Sequence, residues 1–183
     1  TSKSFIGHFD GRGFTVYNLF INASKYNFNR FFGLFGVVEA GGYVENVNVS
    51  GCNIVIDGDV KGQVCCGGIA GRIVTATVAN CKVDGKISAS TSSSGARVGG
   101  IVGITFARSV IADCYAEVTV NGSSSDNNAF AGGIAGNVED TTIARCWANA
   151  TVSASGSGSV YVATGGIVGY AHTSSVIYDC YSS

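Results

Sequence analysis

The stretch "RVGGIVGITFARSVIADCYAEVTVNG", Arg97 to Gly122, sets a glycine pair, a third glycine and a lone cysteine in one run without proline. The same order recurs along the chain. "GGIAG" occupies Gly67 to Gly71, "GGIVG" Gly99 to Gly103, "GGIAG" Gly132 to Gly136 and "GGIVG" Gly165 to Gly169. An earlier variant, "GLFG", runs from Gly33 to Gly36. Anchored on Gly33, Gly68, Gly100, Gly133 and Gly166, the steps are 35, 32, 33 and 33 residues. A second marker follows each of the later anchors: "ANCK" at Cys81, "ADCY" at Cys114, "ARCW" at Cys146 and "YDCY" at Cys180. Those steps are 33, 32 and 34. Two independent markers on one period identify a repeat architecture.

Composition narrows the class. At 183 residues the chain fits one domain. A net charge of -1 gives no electrostatic case for a nucleic-acid or acidic-membrane partner. Glycine is abundant, at 27 residues, yet 46% apolar content and a strict period argue against a disordered linker. Apolar runs fall far short of the roughly 20 residues of a membrane helix. The chain opens on Thr1 and shows no signal peptide, as expected of a processed or excised segment. Seven cysteines is an odd count, no CxxC occurs, and the two histidines are His8 and His172. Neither a zinc site nor any cofactor is expected from this set.

Within a repeat the apolar pattern is short and β-like. "VIADCYAEVTV" (Val110 to Val120) places Val110, Ala112, Cys114 and Ala116 on one face and Asp113, Tyr115 and Glu117 on the other. "TIARCWANATV" (Thr142 to Val152) repeats it with Ala144, Cys146, Ala148 and Ala150. Ile111, Ile143 and Ile177 break the parity, which predicts a corner or bulge three residues before each cysteine. Clusters at Ser92 to Gly95, Asn121 to Ser125 and Ser153 to Ser159 read as loops. A unit of about 33 residues with three short strands cannot bury a core alone, but stacked copies can. The expected fold is all-β, a right-handed parallel β-helix, or β-solenoid, of such coils.

Stacking turns equivalent residues into columns. The glycine pairs would line up where the coil turns sharply or no side chain fits. Cys81, Cys114, Cys146 and Cys180 would form an interior column of thiols acting as small hydrophobes. Disulfides between column neighbours are the rival arrangement. Cys52 and the adjacent Cys65 and Cys66 lie outside the column, and one of the adjacent pair is expected at the surface. Lys82, Tyr115, Trp147 and Tyr181 would form an exterior ladder.

These residues resemble the GLUG-motif repeat family, whose signature stands here as Gly33-Leu34-Phe35-Gly36, the later repeats being glycine-pair variants. The opening "FIGHFDGRGFTVYNLFI" (Phe5 to Ile21) is similar to the coil that often precedes such repeats. The resemblance spans nearly the whole chain. It implies an extracellular, adhesin-like β-solenoid of large secreted or cell-surface proteins, with no catalytic motif to carry over.

A polysaccharide-acting β-helix enzyme would need clustered acids with a base or cation. The acidic residues are scattered, and the close pairs, Asp57 to Asp59 and Glu139-Asp140, read as turns, as does "FDGRGF" at Phe9 to Phe14. The outward column Asn80, Asp113, Arg145, Asp179 sets Asp113 beside Arg145 as an exposed ion pair. Tyr115, Trp147 and Tyr181 could stack sugar rings, or serve only to stabilise the sheet. Asn22, Asn48, Asn121 and Asn149 open N-x-[ST] sequons for N-linked glycans. The chain stops at "YDCYSS" inside a repeat, so end-to-end self-association or continuation in a longer chain is expected. The sequence thus predicts one domain over residues 1–183, with an N-terminal coil over 1–31 and repeats starting near 32, 67, 99, 132 and 165. Its expected role is structural or adhesive, extracellular or at the cell surface, as a stalk or filament subunit and not an enzyme. A carbohydrate-binding domain is the alternative, and a polysaccharide-acting enzyme the third.

Overall fold

The computed structural model describes residues 4–24, 30–58, 62–92, 94–157, 159–172 and 174–183. Every described strand pairs in parallel with a strand of a neighbouring coil, building four sheets of six, seven, five and five strands. A β-solenoid of coils about 33 residues long is therefore the fold. The coil that carries the opening stretch shows the plan: strands Ala96–Gly99, Val102–Phe106, Ser109–Ala112 and Tyr115–Ser124. There are four strands per coil, not three. The glycine pair separates two short strands that the sequence pattern presents as one apolar run.

The turns fall elsewhere than expected. Ile111 and Ile143 lie inside straight strands and face the core, in a column with Val44 and Val78. The corner sits two residues later, at Asn46, Asn80, Asp113, Arg145 and Asp179, all with φ between 49° and 55°. Asn and Asp tolerate this left-handed conformation better than most side chains. Because the corner resets the parity, Val110 is half-exposed while Ile111, Cys114 and Ala116 are buried. A second corner column carries Ala40, Thr75, Ala107, Arg108 and Asp140, again with positive φ.

The glycine pairs have ordinary negative-side backbone angles and serve close approach instead. A Cβ built on Gly100 would collide with the Gly133 carbonyl, and one on Gly133 with the Gly166 carbonyl. The column is bare because the next coil's backbone fills the space.

The fourth strand of each coil is long, and neighbouring copies pair along ten residues, as in Tyr115–Ser124 against Trp147–Gly156. Asn121–Ser124 and Ser153–Gly156 therefore belong to strands, not loops. Their small polar side chains suit a ladder whose bonds come from the backbone. One irregularity occurs where Gly51, at φ 66°, adds a residue against Val83–Gly85. The Asp84 carboxylate accepts the Gly51 N–H at 2.6 Å and fixes that bulge. The core is aliphatic, with Ile54, Ile69, Ile87, Ile101, Ile111, Ile134 and Ile143 fully buried. Each such side chain contributes about 1.5–3 kcal/mol gross, most of it offset by chain ordering.

Candidate functional site

The cysteine column follows from the corner. A left-handed residue turns the chain inward, and the next side chain enters the core at Cys81, Cys114 and Cys146. Val47 holds the equivalent place one coil earlier, so the position asks for a small apolar group. All seven cysteines are free thiols. The thiols of Cys81, Cys114 and Cys146 donate to the carbonyls two residues back, at 3.1, 3.2 and 3.3 Å. Burial, reinforced by the thiols above and below, pushes Cys114 well above the ordinary range and keeps it protonated. Cys65 and Cys66 are both fully buried, where the sequence placed one at the surface. Cys65 points away from the core, but Phe31 and Arg97 flank it in register, and burial raises its pKa to about 12.

The exterior ladder is continuous. Lys82, Tyr115, Trp147 and Tyr181 occupy one register column. Ring centroids lie 4.5 Å apart for Tyr115–Trp147 and 5.3 Å for Trp147–Tyr181, and the Lys82 ammonium sits 4.9 Å over Tyr115. Trp147 is flanked by a ring on both sides, whereas Tyr181 is flanked on one side and is 59% exposed. Beside them Arg145 makes a forked pair with Asp113, at 2.6 and 2.7 Å. That pair holds the Asp113 carboxyl below its usual range. The same column continues through Asn80, which donates to Asn46 at 2.6 Å, while Asn46 donates to Asp10 at 2.9 Å.

Registering the long strands also brings together two carboxylates far apart in sequence, Asp84 and Glu117. With Lys86 and Asn149 they line a shallow trough. Each acid is engaged, Asp84 by Gly51 N–H and Glu117 by the Tyr115 hydroxyl at 3.0 Å. Glu139-Asp140 forms a corner, and Asp59 of the other acidic pair lies outside the described residues. His8 bonds Glu45 at 2.7 Å in the first coil, far along the stack from His172. Among the described residues no three metal-ligating groups cluster, and no helix is long and apolar enough to cross a membrane. Of the sequon asparagines, Asn22, Asn121 and Asn149 are exposed; Asn48 is half-buried and donates to the Gly13 carbonyl at 3.0 Å.

Sequence reasoning missed a second concavity. The outer faces of the two short sheets meet along a groove of about 460 Å³. One wall carries Arg97 and Phe130 in register, with Asn128 and Tyr161 beside them. The facing wall carries Ile104, Asn137 and Tyr170 in register, then Phe106, Glu139 and His172. The groove continues towards Phe31 and Arg72 through shared Gln63, Ile104 and Phe106. Arg97 is 4% exposed, and its guanidinium lies 4.6 Å from the Phe130 centroid. Tyr170 stacks on Phe130 at 4.7 Å, in the space left where the column changes to Ala163. Tyr161 meets Tyr170 edge-on at 5.5 Å. Arg97 donates through Nη1 to the Ala96 and Asn128 carbonyls, while its Nε has no acceptor. Asn137, 5% exposed, leaves its Oδ1 without a donor.

The comparisons agree with the coil plan. The family model of the GLUG motif matches residues 94–121. No curated protein matches the chain. A solved structure described as "a putative immunoglobulin A1 protease from Bacteroides ovatus" superposes with a TM-score of 0.54 at 18% identity, over 95% of this chain. This chain spans 59% of the length of that one. At such identity the likeness is one of fold. Residues 94–121 thus match the GLUG motif, and the coils equivalent to that stretch stack around it in one β-solenoid.

Proposed function

We propose that the chain is a non-catalytic, structural or adhesive module displayed outside the cell, a rod that presents repeated side-chain columns to its surroundings. The observation that carries this reading is the pairing pattern. Among the described residues equivalent strands pair in parallel from coil to coil along the whole stack. A parallel ladder of this kind extends by pairing with further strands, so self-association is the form of the reading that can be measured. Exposed sequon asparagines fit an exterior location. Free thiols do not conflict with it, since Cys81, Cys114 and Cys146 are shielded from oxidants by burial. Asp84 and Glu117, the acids that stacking brings together, are each committed to a backbone or side-chain bond, which supports a scaffold more than a hydrolase. Sedimentation velocity over a wide concentration range tests the reading. Growth of the sedimenting species with concentration is expected, and strictly monomeric particles would sink the filament form.

A second reading, carbohydrate binding on the Tyr115–Trp147–Tyr181 ladder, is favoured by the run of three stacked rings. Trp147 is the single tryptophan, so its fluorescence reports on the ladder directly. Quenching or a spectral shift across a panel of neutral glycans supports this reading. A flat response leaves the ladder a cross-strand stabiliser.

A further inference from the structure

Three buried side-chain atoms without a hydrogen-bond partner, Arg72 Nε, Arg97 Nε and Asn137 Oδ1, belong to residues that line the groove between the two short sheets and its continuation. A guanidinium is always charged and is costly to bury unless it is paired. Among the described residues no carboxylate lies within ion-pair distance of Arg97. Among the described residues Nη1 has two acceptors, both neutral carbonyls, and Nε has none. Facing it, the Asn137 Oδ1 is an equally buried acceptor lacking a donor. Such paired deficits, one cationic donor and one neutral acceptor, are what a ligand with an anionic group beside hydroxyls would fill. Tyr161, 56% exposed at the rim, adds a flat apolar surface, and Glu139 adds a second acceptor for hydroxyl protons.

We propose that this groove binds an acidic saccharide, with the carboxylate of a uronic acid residue on Arg97, ring hydroxyls on Asn137 and Glu139, and a pyranose face on Tyr161. Its volume, about 460 Å³, is in the range of small-ligand clefts. Its continuation towards Phe31 and Arg72 gives a path across coils, as a polymer needs. Arg72 itself is loosely paired, 3.9 Å from Glu39, and also has an Nε without an acceptor. An acidic peptide would satisfy Arg97 but would bring carboxylates towards Glu139 without hydroxyl donors, so the saccharide is the better fit. A lone oxyanion would leave the aromatic rim unused. The proposal goes beyond the structural role and stands whether or not the chain self-associates.

The test is isothermal titration calorimetry of the full chain with oligogalacturonate and oligoglucuronate. The same oligomers as methyl esters, and an oligoglutamate peptide, serve as the other arms. Binding of at least one free-acid oligomer is expected, with affinity falling about tenfold or more on esterification, because a charge-assisted bond is lost. Tyr161→Ala should weaken binding several-fold while leaving the melting temperature unchanged, since the ring is at the rim. Arg97→Gln should abolish it. Because Arg97→Gln can disturb the wall, Tyr161→Ala and the ester carry the test independently. No heat with either free acid, equal binding of acid and ester, tighter binding of the peptide, or an unaffected Tyr161→Ala variant each overturns the proposal.

Discussion

A middle coil and the last coil have nearly the same sequence pattern and quite different burial. Ile111 and Ile143 are 0% exposed, whereas Ile177, in the same register column, is 43% exposed. Cys114 is buried and Cys180 is not. A Cβ on Gly100 would meet a backbone carbonyl, but on Gly166 it would meet the Ser182 side chain. Nothing in the residues themselves accounts for these differences. Burial is conferred by the coil that comes next, so stability in this fold belongs to interfaces between coils and not to coils singly.

The largest break in that comparison should come from the isoleucine column. Ile111→Ala should cost about 2–5 kcal/mol, the usual range for a truncated core aliphatic. Ile177→Ala should cost less than about 1 kcal/mol, because half of its contacts are missing already. Denaturant midpoints of the two variants check this, and equal losses would mean that the last coil is covered in solution. An intermediate effect is expected for the thiols. Cys114→Ser should lose about 1–3 kcal/mol by burying a hydroxyl in an apolar column. Cys180→Ser should fall below that, with the same denaturation assay as the measure. The smallest effect belongs to the exposed fork of Asp113 and Arg145. The folded-state pKa of Asp113 lies below its unfolded value, so its contribution is present above pH about 4. It disappears as pH falls through the folded value. Asp113→Asn should therefore lower the melting temperature slightly at neutral pH and leave it unchanged near pH 2. A loss that persists in acid would assign the effect to the uncharged hydrogen bonding of the fork and not to charge.

The same contrast explains what could be read in advance. Glycine and cysteine are sterically distinctive, so their period exposed the coil, the stacking and the exterior column of Tyr115, Trp147 and Tyr181. The fourth strand was hidden because the glycine pair at Gly99-Gly100 interrupts an apolar run without a turn residue. The ends of the long strands looked like loops because Ser and Gly in a parallel ladder are held by backbone bonds that composition does not reveal. The corner was misplaced because a single left-handed residue at Asp113 or Arg145 shifts parity with no proline or glycine to announce it. The groove was invisible for a different reason. Its columns change identity from coil to coil, as in Cys65, Arg97, Phe130, Ala163, and its two walls come from different sheets. Periodicity finds what repeats, and this site is made where the repeat is broken.

The register of Gly99 on Gly132 has an engineering corollary. The two glycines are superposable points on successive laps of the chain, so excising the 33 residues after Gly99 rejoins it at an equivalent point. Evolution or design can thereby shorten or lengthen the molecule by whole rungs of about 4.8 Å without composing a new junction. The protein is a ruler whose divisions are interchangeable, and its reach is set by the number of laps.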